Sequence, residues 1–214
     1  MRLMTRYARE HLQDPNRNQQ STKVSDPDLE LLLNAVTPLF YSRNPSIIIS
    51  ATNVFLYVAP LTRLGSIVDP LMRLLSQSEV EQDEGNYLAV LHQIYQILIS
   101  VPGQISGLFR QSLSDFFISC ASDSRSVKLI KLKILTSFVS SGLEDQVKII
   151  IKEFKFYVRD SDPVFVEEVT KSIGHLAMNT FGDGRIQAVK LLVQLTKESD
   201  CAPVNDLSSS LYDF

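Results

Sequence analysis

The sequence predicts an all-α protein, a right-handed α-α superhelix of about four and a half stacked helix pairs. Apolar residues recur at helical spacing along most of the 214 residues, and no alternating apolar–polar run bounded by hairpin turns indicates a strand. The helices also come in pairs that repeat every ~40 residues, which is the period of HEAT and armadillo arrays. The first helices of successive pairs are expected to begin near residues 28, 67, 105, 143 and 184.

Short polar residues followed by proline mark several predicted helix starts. Asp26, Asn44 and Asp162 each precede a proline. The side-chain oxygen can accept hydrogen bonds from the free N–H groups of the first turn, and proline suits the first helical position because no donor is needed there. Further helices are expected over 87–100, 106–119, 125–140 (capped by Ser124), 143–158 and from 163 onward, with an acidic loop over 78–86 and a turn at Gly182 and Gly184.

The chain divides into four predicted segments. Residues 1–12 are expected to form a helix that continues from a missing upstream repeat, and residues 13–26 a flexible polar loop. Residues 27–198 carry the helical repeats, and residues 199–214 form a tail with the pattern of a truncated helix. Repeat arrays need polar terminal caps. Neither end looks like one, so we expect a piece of a longer solenoid that aggregates in isolation.

Composition excludes several classes of protein. The apolar content of 44% suits a folded core, and a net charge of −3 lacks the basic footprint of a nucleic-acid-binding domain. The two cysteines, Cys120 and Cys201, provide neither a disulfide framework nor a paired-cysteine metal site, and they fit a reducing compartment. The two longest uncharged stretches are interrupted by proline and amide residues, so no transmembrane segment is expected.

No catalytic or cofactor-binding motif is present in the sequence. There is no metal-binding HExxH, no phosphate-binding loop and no GxSxG, so we expect neither an enzyme nor a cofactor. Cys120 follows Phe117 and Ile118 and is predicted to be an inert buried thiol. The acidic pair at Asp160 and Asp162 is interpreted as a helix cap. Two tyrosine-x-x-apolar sorting motifs, at 87–90 and 95–98, fall in one predicted core helix, where an extended-peptide receptor could not read them.

One region is rich in cations. Residues 125–159 hold eight Lys and Arg against three acidic residues. Lys148, Lys152 and Lys155 are spaced to share one helix face. Two interpretations stay open: a solvated rim of the solenoid, or a basic patch that contacts an acidic partner or anionic lipid. The eight cations are Arg125, Lys128, Lys131, Lys133, Lys148, Lys152, Lys155 and Arg159.

Several blocks resemble a known family. The passage DPDLELLLNAVTPLFYSRNPSIIISATNVFLYVAP at 26–60 is similar to the trunk of beta-adaptins, most of all the beta large subunit of adaptor protein complex three. Residues 3–9, the KLKILT block at 131–136 and the blocks at 153–158 and 172–175 resemble other helices of that trunk, in the same order. The loop at 13–26 is shorter than the family's usual insertion, and the loop at 78–86 is longer.

The resemblance implies a structural scaffold subunit of a coat adaptor complex, which carries cargo from the Golgi and endosomes to the lysosome or vacuole. Its expected partners are the medium chain, the second large chain and the small chain, with a small GTPase and an anionic membrane surface as further contacts. It would be cytoplasmic and peripheral on Golgi, endosomal and coated-vesicle membranes. The family reads sorting signals mainly through its medium and small chains, so no signal-binding residue is carried over. The alternative is another HEAT-repeat scaffold, such as a nuclear-transport receptor or a phosphatase regulatory subunit.

Overall fold

The computed structural model describes residues 2–11, 27–100, 107–139, 144–180 and 182–200. Within these ranges the regular structure is helical and no strand occurs, which confirms the predicted fold class. The loop expected over 13–26 and nearly all of the expected tail lie outside the described residues. The α-helices are α1 (Arg2–His11), α2 (Pro27–Val36), α3 (Pro45–Val58), α4 (Val68–Val80), α5 (Glu84–Ser100), α6 (Arg125–Val139), α7 (Glu144–Tyr157), α8 (Pro163–Asn179) and α9 (Gly182–Asp200).

The predicted proline-marked helix starts are confirmed where the structure describes them. The Asn44 side chain accepts a hydrogen bond from the Ser46 N–H (3.0 Å) at the start of α3. The Asp162 side chain accepts one from the Val164 N–H (3.1 Å) at the start of α8. In both helices proline is the first residue, so the lost donor is one that had no intrahelical partner.

The chain divides into two compact units, Met1–Asp115 and Phe116–Phe214. In the first unit, α1 packs on α3, and α4 packs on α5. Residues 37–41 form a 3-10 turn after α2, because Pro38 cannot continue the α-helical hydrogen bonding. Phe40 from this turn meets Phe55 of α3 edge to face, with ring centroids 4.8 Å apart.

The second unit contains two helix layers. Helix α6 packs on α8, and α7 packs on α9, while α8 also contacts α9 along its length. Both layers close over a core that excludes water almost completely. Its largest members are Phe116, Phe138, Phe154, Tyr157 and Phe165. Elements two positions apart in the chain therefore lie side by side, as the stacking of successive helix pairs requires.

Hydrogen bonds between equivalent positions of successive pairs reproduce the repeat length. In the first unit, Gln93 of α5 donates from Nε2 to the side-chain oxygen of Asn53 in α3 (2.9 Å), 40 residues away. In the second unit, the Ile118 N–H donates to the Tyr157 hydroxyl (2.9 Å), 39 residues away. Both separations match the ~40-residue period of HEAT and armadillo arrays.

The helix expected over 106–119 is wrong in type and length. Residues Arg110–Phe116 form a 3-10 helix, with non-helical angles at Ser112 (φ −102°, ψ 17°). Leu113 and Phe116 are both buried, and a three-residue spacing places two side chains on one face of a 3-10 helix. The apolar spacing in this segment was thus read with the wrong helical period.

The acidic loop expected over 78–86 is much shorter than predicted. Helix α4 continues to Val80 and α5 begins at Glu84, which leaves three residues for the turn. Gln82 adopts a positive φ of 55°, and the Asp83 carboxylate accepts a hydrogen bond from the Asn86 N–H (3.0 Å). Aspartate is a strong N-terminal cap, so α5 starts earlier than its apolar residues suggest.

Gly184 permits a close approach between α7 and α9. The sequence predicted a turn there, but α9 already begins at Gly182, whose φ is 63°. A methyl group on Gly184 would lie 2.8 Å from Cγ1 of Val147 in α7. Real contacts of this kind are essentially never that short. The absence of a side chain at this position therefore sets how closely the two helices pack.

Replacing Gly184 with alanine is expected to lower the free energy of unfolding by about 1–3 kcal/mol, because the added methyl overpacks the contact with Val147. The matched control is Gly174→Ala in α8, where an added methyl meets nothing within 4 Å. That variant should be stabilised by about 0.4–1 kcal/mol, since alanine restricts the unfolded chain. Urea unfolding measures both, and equal shifts in the two variants would contradict the close approach.

Candidate functional site

The second unit contains a polar cluster that joins two successive loops. The loop at 117–124 precedes α6, and the loop at 158–162 precedes α8. Lys128 Nζ of α6 lies 2.6 Å from Asp160 Oδ2, and the two side chains are only 9% and 1% exposed. Removing one partner of a buried ion pair strongly destabilises the folded state, because the remaining charge stays buried without compensation. This pair therefore fixes the position of the second loop against α6.

A second pair holds the first loop. Lys131 Nζ lies 2.9 Å from Asp123 Oδ2 and also donates to the Phe117 carbonyl oxygen (3.2 Å). The same Asp123 oxygen accepts a hydrogen bond from the Ser119 N–H (3.0 Å). Lys131 is 5% exposed in its side chain, so this interaction lies inside the fold. It closes the loop over the start of α6.

A third pair spans the loops nearer the surface. Arg125 donates two hydrogen bonds to the Asp162 carboxylate, with Nη2 3.0 Å from Oδ1. Asp162 also caps α8, so one carboxylate serves both contacts. The Arg125 guanidinium lowers the pKa of Asp162, and the carboxylate stays ionised at neutral pH.

The Tyr157 hydroxyl joins the cluster from α7. It accepts the hydrogen bond from the Ile118 N–H and donates to Glu153 Oε2 (3.3 Å). The side chain is 1% exposed, and burial raises the pKa of Tyr157 well above its usual value. The phenol is therefore neutral, and its role is to satisfy a buried backbone donor rather than to transfer protons.

The Asp160 carboxylate is ionised despite its surroundings. Burial opposes its charge, but hydrogen bonds from Lys128 and from the Asp162 N–H outweigh that effect, and the pKa of Asp160 is lowered. The sequence interpreted Asp160 and Asp162 together as a helix cap. That interpretation holds for Asp162, whereas Asp160 acts mainly as the partner of a buried lysine.

Cys120 corrects a prediction. The sequence indicated a buried thiol, but the residue is exposed, because its loop leaves the core after Ile118. Partial desolvation and a hydrogen bond to the Asp160 carboxylate raise the pKa of the Cys120 thiol. Thiolate is the reactive form, so this environment disfavours a nucleophile.

The cation-rich region does not form one patch. Lys128 and Lys131 are buried in the polar cluster, so the prediction of a solvated rim or contact surface is wrong for these two, whereas Arg125 pairs with Asp162 and keeps 60% of its side chain exposed. The residue type gave no indication of this burial, since lysines are usually exposed. One signal in the sequence could have indicated it: Lys128 and Lys131 have the apolar neighbours Val127, Ile130 and Leu132, which are also buried.

The three lysines singled out by their spacing lie on α7, as expected. The Lys148 side chain is 42% exposed, and its Nζ lies 3.7 Å from Oδ2 of Asp183 in α9. Lys152 and Lys155 are exposed, and neither has an ion-pair partner among the described side chains. The polar cluster and these lysines belong to the same unit, but the cluster stabilises the fold whereas the lysines face solvent.

Other sites are not assembled in the part of the chain that the structure describes. No group of three or more His, Cys, Asp or Glu side chains is placed to hold a metal ion there. No described helix is long and apolar enough to cross a bilayer. Both tyrosine sorting motifs lie within α5, and Tyr87, Val90 and Leu98 are buried, which agrees with the core-helix interpretation.

Comparison with known proteins decides the family. The adaptin N-terminal region family matches residues 1–213, which is almost the whole chain. The chain belongs to this family. The resemblance to beta-adaptins that the sequence suggested is confirmed, and the family's HEAT/armadillo-like helical fold agrees with the helix pairs of both units.

Relatives of this adaptin chain come from animals, fungi and plants. It is 30% identical over 178 residues to the mouse (Mus musculus) AP-3 complex subunit beta-2, covering 83% of the chain and 15% of the relative. It is 28% identical over 212 residues to the Schizosaccharomyces pombe AP-3 complex subunit beta, covering 99% of the chain and 26% of the relative. It is 30% identical over 156 residues to the Arabidopsis thaliana AP3-complex subunit beta-A, covering 72% of the chain and 14% of the relative. The alignments thus span about a quarter or less of these relatives.

Removing the Tyr157 hydroxyl is expected to destabilise the second unit. Tyr157→Phe leaves the buried Ile118 N–H without an acceptor, at a cost of about 1–3 kcal/mol in the free energy of unfolding. Tyr95→Phe removes the same atom from a half-buried position in α5 and should change stability by less than about 0.5 kcal/mol. Thermal and urea unfolding compare the two, and indistinguishable variants would show that the hydroxyl does not carry this contact.

The polar cluster also predicts a pH dependence. The pKa of Asp160 is lower in the folded chain than its unfolded value of about 3.9. Its stabilising contribution is therefore complete above the unfolded value and is lost as pH falls from there through the lower folded pKa. Wild type should be more stable than Asp160→Asn at pH 7, and this difference should shrink between about pH 5 and pH 2. Urea unfolding at several pH values measures the difference, and a difference that is independent of pH would refute the assignment.

Proposed function

We propose that this adaptin chain is a structural scaffold segment of an AP-3-type coat adaptor subunit that acts in vesicle-mediated protein transport. The observation that carries the proposal is the match to the adaptin N-terminal region over residues 1–213, together with AP-3 beta subunits as relatives. Those relatives are named as subunits of the AP-3 complex. The proposed role is to hold other chains rather than to catalyse a reaction.

The arrangement of the second unit supports a mechanical role. Its buried charged side chains form ion pairs that hold the loops in place, as Lys128 and Asp160 do. Its exposed thiol, Cys120, has a raised pKa, and its buried phenol, Tyr157, is held neutral. These surroundings do not activate either group for chemistry, and a stack of helix pairs offers extended surfaces for docking.

The proposed partners are the medium chain, the second large chain and the small chain of the adaptor, with a small GTPase as a further partner. The proposed location is the cytoplasmic face of Golgi, endosomal and coated-vesicle membranes, and the proposed route leads to the lysosome or vacuole. What supports these assignments is the family and the names of the relatives.

Affinity purification tests the proposed function. The tagged chain, expressed in cells that contain the adaptor, is expected to recover the medium, small and second large chains, as measured by mass spectrometry. Phe165→Asp, which places a charge at a fully buried position of α8, should abolish the recovery because the unit no longer packs. Recovery of a nuclear small GTPase or a phosphatase catalytic subunit instead of adaptor chains would favour the alternative scaffolds.

A further inference from the structure

The two longest uncharged stretches of the sequence come together in the first unit. One lies between Arg43 and Arg63, and the other lies between Glu84 and Arg110. Most of the first stretch forms α3 and much of the second forms α5, and these two helices pack side by side. Neither helix is long and apolar enough to cross a bilayer, so their lack of charge has a different origin.

The outward sides of α3 and α5 form one surface in solvent. On each helix the core residues fall on one side, and on α5 the most exposed residues share an arc of about 80° on the other side. Tyr57 of α3 is 49% exposed and Ile99 of α5 is 50% exposed. We call this outward side the α3–α5 face; its exposed members are Ser46, Tyr57, Ala89, His92, Gln96 and Ile99.

The α3–α5 face lacks the charges that solvent-exposed helices usually carry. Glu84, the first residue of α5, is the one Lys, Arg, Asp or Glu in these two described helices, although such residues make up 21% of the chain. The second helices of the pairs in the other unit differ, since α6 carries four charged residues and α8 carries three. Depletion of charged side chains is the compositional mark of a surface that another protein covers.

Several polar groups of the α3–α5 face are already paired within the unit. Gln93 donates from Nε2 to the side-chain oxygen of Asn53, which joins the two helices (2.9 Å). The Ser50 hydroxyl donates to the Ser46 carbonyl oxygen (2.7 Å), and the Ser100 hydroxyl donates to the Gln96 carbonyl oxygen (2.7 Å). A polar group that already has its hydrogen bond loses little when water is removed. A partner can therefore cover this face without supplying matching groups for these side chains.

The absence of charge also determines which kind of partner fits. An acidic segment, a basic segment or a lipid phosphate would lose hydration at this face without gaining an ion pair. Uncharged side chains do not meet that cost, and Tyr57 and Ile99 offer them apolar contact. Two helices that lie side by side leave a groove between them, which suits the ridge of a third helix.

We propose that the α3–α5 face is the docking surface for a helix of another adaptor chain, which contacts it through uncharged side chains. The meeting of the two uncharged stretches on one side of the first unit carries this proposal. The identity of the partner as an adaptor chain rests on the proposed function, whereas the location and chemistry of the contact come from α3 and α5.

Co-purification of this chain with the medium, small and second large chains tests the proposal. Gln96→Lys/Ile99→Lys places two charges at exposed positions of the face. We expect recovery of at least one adaptor chain, measured by quantitative mass spectrometry, to fall at least about ten-fold. Ala89→Glu, a single change at a third exposed position, should act in the same direction. Thermal unfolding of the purified variants should match the wild type, because these positions lie outside the core.

The matched control is Ser76→Lys/Val80→Lys on α4, which also replaces one polar and one exposed aliphatic residue with lysines and should retain recovery. Undiminished recovery by the face variants, or an equal loss in the control, would overturn the docking surface and leave the proposed function standing. Failure of the wild-type chain to recover any adaptor chain would overturn both. A dimer of the purified chain that dissociates in the face variants would assign the face to a second copy and also overturn the proposal.

Discussion

An isolated pair of amphipathic helices leaves much of its apolar surface in water, and this constraint shapes both units of the chain. Helices α6 and α8 bury each other's apolar sides, as do α7 and α9. The core-facing side of these helices is fully buried, as Phe154 of α7 and Phe165 of α8 illustrate. Because the hydrophobic effect has no direction, it drives this association without fixing how successive pairs align.

Directional interactions supply the alignment. The polar cluster links a residue in one repeat to the equivalent loop of the next, through Arg125 with Asp162 and Lys128 with Asp160. Each contact requires a particular offset between the repeats, because a shift of one residue would leave a charge or a backbone donor without a partner. Gln93 and Asn53 make a neutral contact of the same kind in the first unit. Burying a polar group destabilises the fold unless the group is paired, so these contacts favour one alignment of successive repeats over the others.

The sequence predicted the helical class and most helix starts because these depend on local signals. A cap such as Asn44 followed by proline acts within a few residues, and apolar periodicity reports a helix directly. The prediction failed where a short apolar spacing is ambiguous, since the three-residue spacing of Leu113 and Phe116 suits either an α-helix or a 3-10 helix. It also failed for Lys128 and Cys120, because the burial of a side chain depends on which distant loop packs beside it. The exposed lysines of α7 were predicted from spacing alone, whereas the partner of Lys148 could only come from the fold.

The close approach at Gly184 bears on how such arrays change over evolution. Repeats are often regarded as modules that can be exchanged between proteins, but here one repeat lacks a side chain where the previous one presents Val147. A transplanted repeat with an ordinary residue at this position would meet a steric block at the joint. Exchange of a repeat would therefore succeed only when the two sides of the joint are inherited together.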